Sequence, residues 1–152
     1  MGCDERLIEL KITLPEVLVA GLYQPAVRSG NLLYVSGQIP RTEGRLPYRG
    51  KVGGEVNLES ARRAARLCIV NGLAVLKKEL GSLDRVKQIV RMTGYVASSE
   101  GFTDQPKVID GASELLIDLF GEAGRHSRVA VGVAELPLGA PVEIELIVEL
   151  HA

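Results

Sequence analysis

The C-terminal third constrains the fold most tightly, because its apolar residues repeat at every second position. From Glu143 to Leu150 acids alternate with aliphatic side chains, and from Val129 to Val133 valines alternate with Ala130 and Gly132. Successive side chains of a strand point to opposite faces, so each run reads as a strand with one side buried. The short connection L-P-L-G-A-P predicts that the two pair as an antiparallel hairpin. Ile144, Leu146, Val148 and Leu150 then face a core, and Glu143, Glu145, Ile147 and Glu149 line the opposite face.

A different period governs the middle of the chain. Ala61, Ala64, Ala65, Cys68, Gly72, Val75, Leu76 and Leu80 recur at helical spacing, with Asn57 as a cap and Gly81 as a stop. A second helix is expected from about Asp104 to Phe120, with Val108, Ala112, Leu115, Leu116 and Leu119 on one side. Between them Val86 to Ala97 is rich in β-branched residues and reads as a strand. Upstream, Pro25 to Pro40 holds two β-rich runs around Ser29-Gly30-Asn31, a hairpin, and Glu5 to Lys11 suit a short leading helix. Arg41 to Gly54 reads as a loop. The order describes an α+β sandwich, a mixed β-sheet with two long helices on one face.

Two helices cover only one side of such a sheet. In the hairpin register Arg128, Ala130, Gly132 and Tyr34 share the uncovered side with Leu32 and Ile147, a mixed, small-residue face suited to another subunit.

Composition closes off other classes. A chain of 152 residues with 18 Lys+Arg against 19 Asp+Glu, and no repeat or linker-like shift, is expected to be one domain over residues 1–152, its core at about 20–150. That length supports a core without disulfides or metal. Cys3 and Cys68 are too few and too far apart for a disulfide framework and read as reduced thiols of a cytoplasmic protein. No apolar run is long enough for a membrane span, and the acidic start is unlike a secretory signal. Interleaved charges and the absence of Trp give nucleic acid little to bind.

Few residues invite chemistry. Ser36 stands in V-S-G-Q, which lacks a nucleophile elbow. His126 and His151 are isolated, so no metal is expected, and His126 reads as a loop histidine with local hydrogen bonds. The glycine-rich stretches match no nucleotide fingerprint, so no cofactor is signalled. Arg128 remains. Small neighbours leave room beside its guanidinium, whose planar fork fits a carboxylate; the alternative is an ion pair with Glu143 or Glu145 across the sheet.

At this point two motifs carry a likeness. The stretch R-V-A-V-G-V-A-E-L-P-L-G-A-P-V-E-I-E from Arg128 to Glu145 resembles the signature of the RidA/YjgF family of reactive-intermediate (enamine/imine) deaminases. L-Y-V-S-G-Q-I-P from Leu33 to Pro40 resembles that family's N-terminal signature, and the two stand in family order. The resemblance spans about residues 20 to 150. It implies a chorismate-mutase-like subunit, homotrimers with ligand clefts between subunits, and hydrolysis of small 2-imino or enamino acids, released by pyridoxal-phosphate enzymes, to 2-keto acids and ammonia without a cofactor.

By the same resemblance Arg128 grips the substrate carboxylate and Glu143 holds the hydrolytic water. Tyr23, Ser36 and Gly37 line the cleft, and the Ala130 main chain stands beside the reacting carbon. Three departures mark a divergent, longer branch: G-L-Y-Q-P where G-P-Y is usual, G-R-H-S-R before the strand, and Asp110 where the cleft has an asparagine. An acid at Asp110 facing the cleft repels an anion. A non-catalytic trimer that binds a small carboxylate is the competing class. A ribonuclease ranks third, for want of a basic groove or a histidine pair.

One distance bears on the site. If Val133 pairs with Val142, Arg128 lies opposite Ile147, four positions from Glu143, or about 13 Å. Either a bulge or twist closes that gap, or the cleft joins residues of two subunits; the second is favoured for at least part of the site and makes assembly a condition of activity.

Overall fold

Burial follows the two periods. The computed structural model describes residues 1–152, and in its last strand, β5 (Val142–Leu150), every second residue is buried. The preceding strands are β1 (Ala26–Ser29), β2 (Leu32–Gln38), β3 (Val86–Ala97) and β4 (Ser127–Val133). The helices are α1 (Cys3–Glu9), α2 (Leu58–Leu80) and α3 (Gln105–Phe120). α1 begins slightly earlier than the sequence suggests, and Asp4 holds it by accepting from Ser82 Oγ at 2.6 Å and the Leu83 N–H at 3.2 Å.

Each long helix is built as its sequence dictates. The Asn57 side chain accepts from the Ser60 N–H at 2.8 Å, satisfying one of the free donors of the first turn of α2. Gly81 ends that helix at φ 79°, a conformation that glycine adopts without strain. Ala61, Ala64, Ala65 and Ala112 are fully buried between α2 and α3. At Gly111 the approach is closer still, since a Cβ there would strike the Arg62 main chain. Small residues thus bring the helices together over one face of the sheet, with Leu73, Leu76, Leu115 and Leu116 filling the core beneath.

The sheet order is β1-β2-β5-β3-β4. β1 and β2 form the expected hairpin, Ser29 opposite Leu32. The expected hairpin between β4 and β5 does not form. β3 lies between them, antiparallel to β5 and parallel to β4. Residues 134–141 are long enough to step over one strand, and the end of β3 holds both ends of that crossing: the Ala97 N–H donates to Pro141 O at 2.9 Å and the Ser98 N–H to Val133 O at 3.0 Å. A twelve-residue β3 offers both edges to be paired, which a two-stranded ribbon cannot.

The new partner changes which face β4 shows. Arg128, Ala130 and Gly132 stand opposite Met92, Gly94 and Val96, and Met92 and Val96 are fully buried beneath the helices. The three therefore point to the helical side, contrary to the expectation that they share the uncovered face. Val129, Val131 and Val133 take that face, with Tyr34, Ile147, Glu143 and Glu145 there as expected. It is partly apolar and open: Val27, Tyr34 and Val131 are all exposed.

Candidate functional site

The predicted site residues fall into two groups. The first forms where β4 passes under α3. Arg128 Nη1 donates to Asp110 Oδ1 at 2.8 Å and to Ser113 Oγ at 3.0 Å, and Nη2 donates to Pro106 O at 3.3 Å. The guanidinium pairs with Asp110, not with Glu143 or Glu145. Its side chain is 22% exposed and that of Asp110 49% exposed, so the pair borders solvent. Ala130 follows two positions along on the same face of β4.

A second layer braces this arginine. His126 Nδ1 lies 2.6 Å from Gly124 O, so that nitrogen carries the proton and Nε2 accepts from Ser113 Oγ at 2.9 Å. The Ser113 hydroxyl proton is then committed to His126, which leaves its oxygen to accept from Arg128. Burial holds the His126 pKa below its ordinary value, with the nearby Arg128 charge adding to the effect and the Gly124 carbonyl opposing it. Neutral His126 is the form this chain of bonds requires. The local hydrogen bonding expected of His126 is present, and through Ser113 it reaches Arg128.

The second group lines a cavity of about 670 Å³ at the other end of the sheet, walled by residues 15–20, Tyr23, Gly37, Gln38, Asn71, Leu138 and Glu143 among others. β2 is irregular between Val35 and Gln38, and this break brings Gly37 against the Glu143 carboxylate: a Cβ at position 37 would collide with it. Burial raises the Glu143 pKa, and Glu145 beside it on the same face raises it further. Glu145 itself accepts from the Tyr95 hydroxyl at 2.7 Å. Ser36 is not among the residues that line this cavity. Its Oγ donates to Gln24 O at 2.6 Å, and its N–H donates to Pro25 O at 2.9 Å. These bonds fix the segment that carries half-exposed Tyr23.

Within one chain the groups do not meet. Tyr95 lies opposite both Glu143 and Val131, so Arg128 is three residues along and two strands across from Glu143, a Cα separation of about 14 Å. They also point to opposite faces of the sheet. An arginine that can hold a carboxylate thus sits at one edge, and a half-buried acid that can hold a water and take its proton sits in a cavity elsewhere.

Sequence reasoning missed Asn71, whose Nδ2 donates to Ile39 O at 2.9 Å and Arg41 O at 3.1 Å and ties the loop after β2 to α2. An amide beside the apolar stripe of that helix was the available signal. Ser113 carried none, since only the packing of α3 on β4 brings it to Arg128.

Comparison with known proteins agrees with this architecture. The family model described as "YjgF/chorismate mutase-like, putative endoribonuclease" matches residues 4–150. A Trypanosoma cruzi protein, TCP17, is 42% identical over 147 residues, 95% of this chain and 92% of its own length. A Dermatophagoides farinae protein named 2-iminobutanoate/2-iminopropanoate deaminase is 32% identical over 131 residues, 86% of this chain and 88% of its own. Among solved structures, an Agrobacterium tumefaciens protein of unknown function superposes with a TM-score of 0.91 at 47% identity, covering 99% of this chain and 92% of that one. No helix of the chain is long and apolar enough to cross a membrane, and two fungal relatives are described as mitochondrial.

Proposed function

Because this chain belongs to the YjgF/chorismate mutase-like family, we propose that it hydrolyses small 2-imino acids, and the enamines that tautomerise to them, in clefts between the subunits of a cytoplasmic homotrimer. The observation that carries this reading is the division of the site. Arg128, a group that can hold an anion, and Glu143, an acid that can hold a water, stand about 14 Å apart on opposite faces of one sheet, a separation that supports a cleft to which a second copy contributes.

The chemistry is undemanding. Arg128 holds the substrate carboxylate, which places the C=N carbon beside the Ala130 main chain and opposite the neighbouring subunit's acid. Glu143 accepts a proton from water as the water oxygen bonds to that carbon. The resulting carbinolamine receives that proton on nitrogen; as the C–N bond breaks, Glu143 takes the hydroxyl proton and returns it to the departing ammonia, so that ammonium and a 2-keto acid leave. A protonated imine is already electrophilic, so neither metal nor cofactor enters the scheme. A carboxyl whose pKa is raised by burial suits a group that must take up and return a proton near neutrality. Tyr23 and Gly37 wall the cavity, and Ser36 fixes the Tyr23 segment.

Mixed assembly tests this reading. Arg128→Ala and Glu143→Gln are each expected to abolish removal of an imine generated in place by an amino-acid oxidase. Unfolded together in equal amounts and reassembled, they recover about one quarter of wild-type turnover, because each cleft needs the intact residue from two independently drawn chains. Full turnover by Arg128→Ala alone overturns the proposal. Arg128-dependent binding of a 2-keto acid without any acceleration by the wild type would favour the non-catalytic binding trimer.

A further inference from the structure

Imine hydrolysis at Arg128 is the premise on which a role for Asp110 rests, and by itself it leaves that acid unexplained. A bare anion anchor gains nothing from a carboxylate 2.8 Å from its guanidinium. An amide at position 110 could accept the same hydrogen bond through its carbonyl oxygen and leave the arginine its full charge. As built, the anchor is a pair with no net charge, and both halves have bonding capacity to spare. Arg128 Nε donates to no group of its own chain, and Asp110 accepts only through Oδ1. β4 is an edge strand, so nothing pairs with the sheet beyond this point.

Asp110 is not needed to aim the arginine either. Ser113 takes the same Nη1 at 3.0 Å, with its own hydroxyl proton committed to His126, and the Pro106 carbonyl takes Nη2 at 3.3 Å. What the acid adds is charge. A ligand bearing only a carboxylate is attracted by Arg128 and repelled by Asp110, whereas one that also bears a cationic nitrogen is attracted by both.

We propose that Asp110 makes this site select ligands that carry a carboxylate and a cationic nitrogen together, and reject the plain 2-keto acid. The substrate class is then the protonated 2-imino acid, a zwitterion. Hydrolysis removes the cation: the C–N bond breaks, ammonium departs, and the 2-keto acid left behind faces Asp110 with nothing to offset the repulsion. The same residue that admits substrate therefore speeds release of product.

Stable probes separate the cases. Calorimetric titration with 2-aminobutanoate and 2-oxobutanoate, which differ in the cationic nitrogen, is carried out at neutral pH on the wild-type assembly and on Asp110→Asn, Asp110→Ser and Arg128→Ala. The wild type is expected to bind the amino acid more tightly. Either Asp110 variant tightens keto-acid binding about tenfold, equivalent to about 1.4 kcal/mol, and weakens amino-acid binding, so that the preference reverses. Two chemically different replacements guard against a folding defect in one. An unchanged preference in both variants, with Arg128→Ala losing both ligands, overturns the role of Asp110 and leaves the carboxylate site standing. If Arg128→Ala binds both ligands as the wild type does, or the wild type binds neither, the carboxylate reading itself falls.

Discussion

Replacing Gly37 with alanine tests the water-holding half of the site with a single methyl group. The backbone permits it, because Gly37 is not among the glycines with positive φ. The space does not. The added Cβ would stand 3.1 Å from Glu143 Cδ and 3.3 Å from Cγ, with a carboxylate oxygen nearer still. Ordinary contact begins at 3.4 Å, so the carboxyl carbon must retreat by several tenths of an ångström and the oxygen by about 1 Å. A displacement of that size in a catalytic group costs about 100-fold in rate. Overpacking costs 1–3 kcal/mol in a closed core, but here the displaced group borders a cavity, so about 1 kcal/mol is expected. For a chain of this size that lowers Tm by about 2–4 °C. The assay is imine removal with the imine generated in place, beside a thermal melt. The expected result is kcat down 10- to 100-fold with KM within about threefold, since Arg128, the proposed carboxylate anchor, is untouched. A variant that melts within these limits yet keeps kcat within about twofold would refute the proposed role of the Glu143 carboxylate, held against Gly37, in activating the reacting water.

Two other outcomes come from the local chemistry. Burial raises the Glu143 pKa above the ordinary 4.5, so its contribution to stability is complete below that value and is lost as pH rises through the folded-state pKa. Glu143→Gln removes this loss: the melting temperature of the variant relative to wild type should be higher at about pH 8 than at about pH 4, and the opposite trend contradicts the burial argument. Asn57→Ala deletes the cap that accepts from the Ser60 N–H and should cost about 1 kcal/mol in denaturant unfolding with an unchanged m-value; no loss would mean that the side-chain bond contributes nothing in solution.

Much of this molecule is written locally. The alternation from Glu143 to Leu150 puts Ile144, Leu146, Val148 and Leu150 in the core whatever strands lie alongside, because the pleat alone sets the parity. The small-residue period from Ala61 to Leu80, with Asn57 and Gly81 at its ends, likewise sets a helix and its buried side. The two motifs named the residues of interest for the same reason, since each is a short continuous stretch. Pairing is another matter. Strand β4 alternates equally well against β5 or β3, and nothing within Ser127–Val133 states which neighbour it takes. That choice turned Arg128 from the uncovered face to the helical one, and delivered it to Asp110 and Ser113, which lie 18 and 15 residues earlier in the chain. The amino-acid order thus determined the elements and the buried sides of the two long helices and of β5, and singled out Arg128 and Glu143 within one motif. Only the packed structure decided that these two point to opposite faces of the sheet and that the arginine is already paired, because strand partnership is settled by the whole core at once and not by any segment of it.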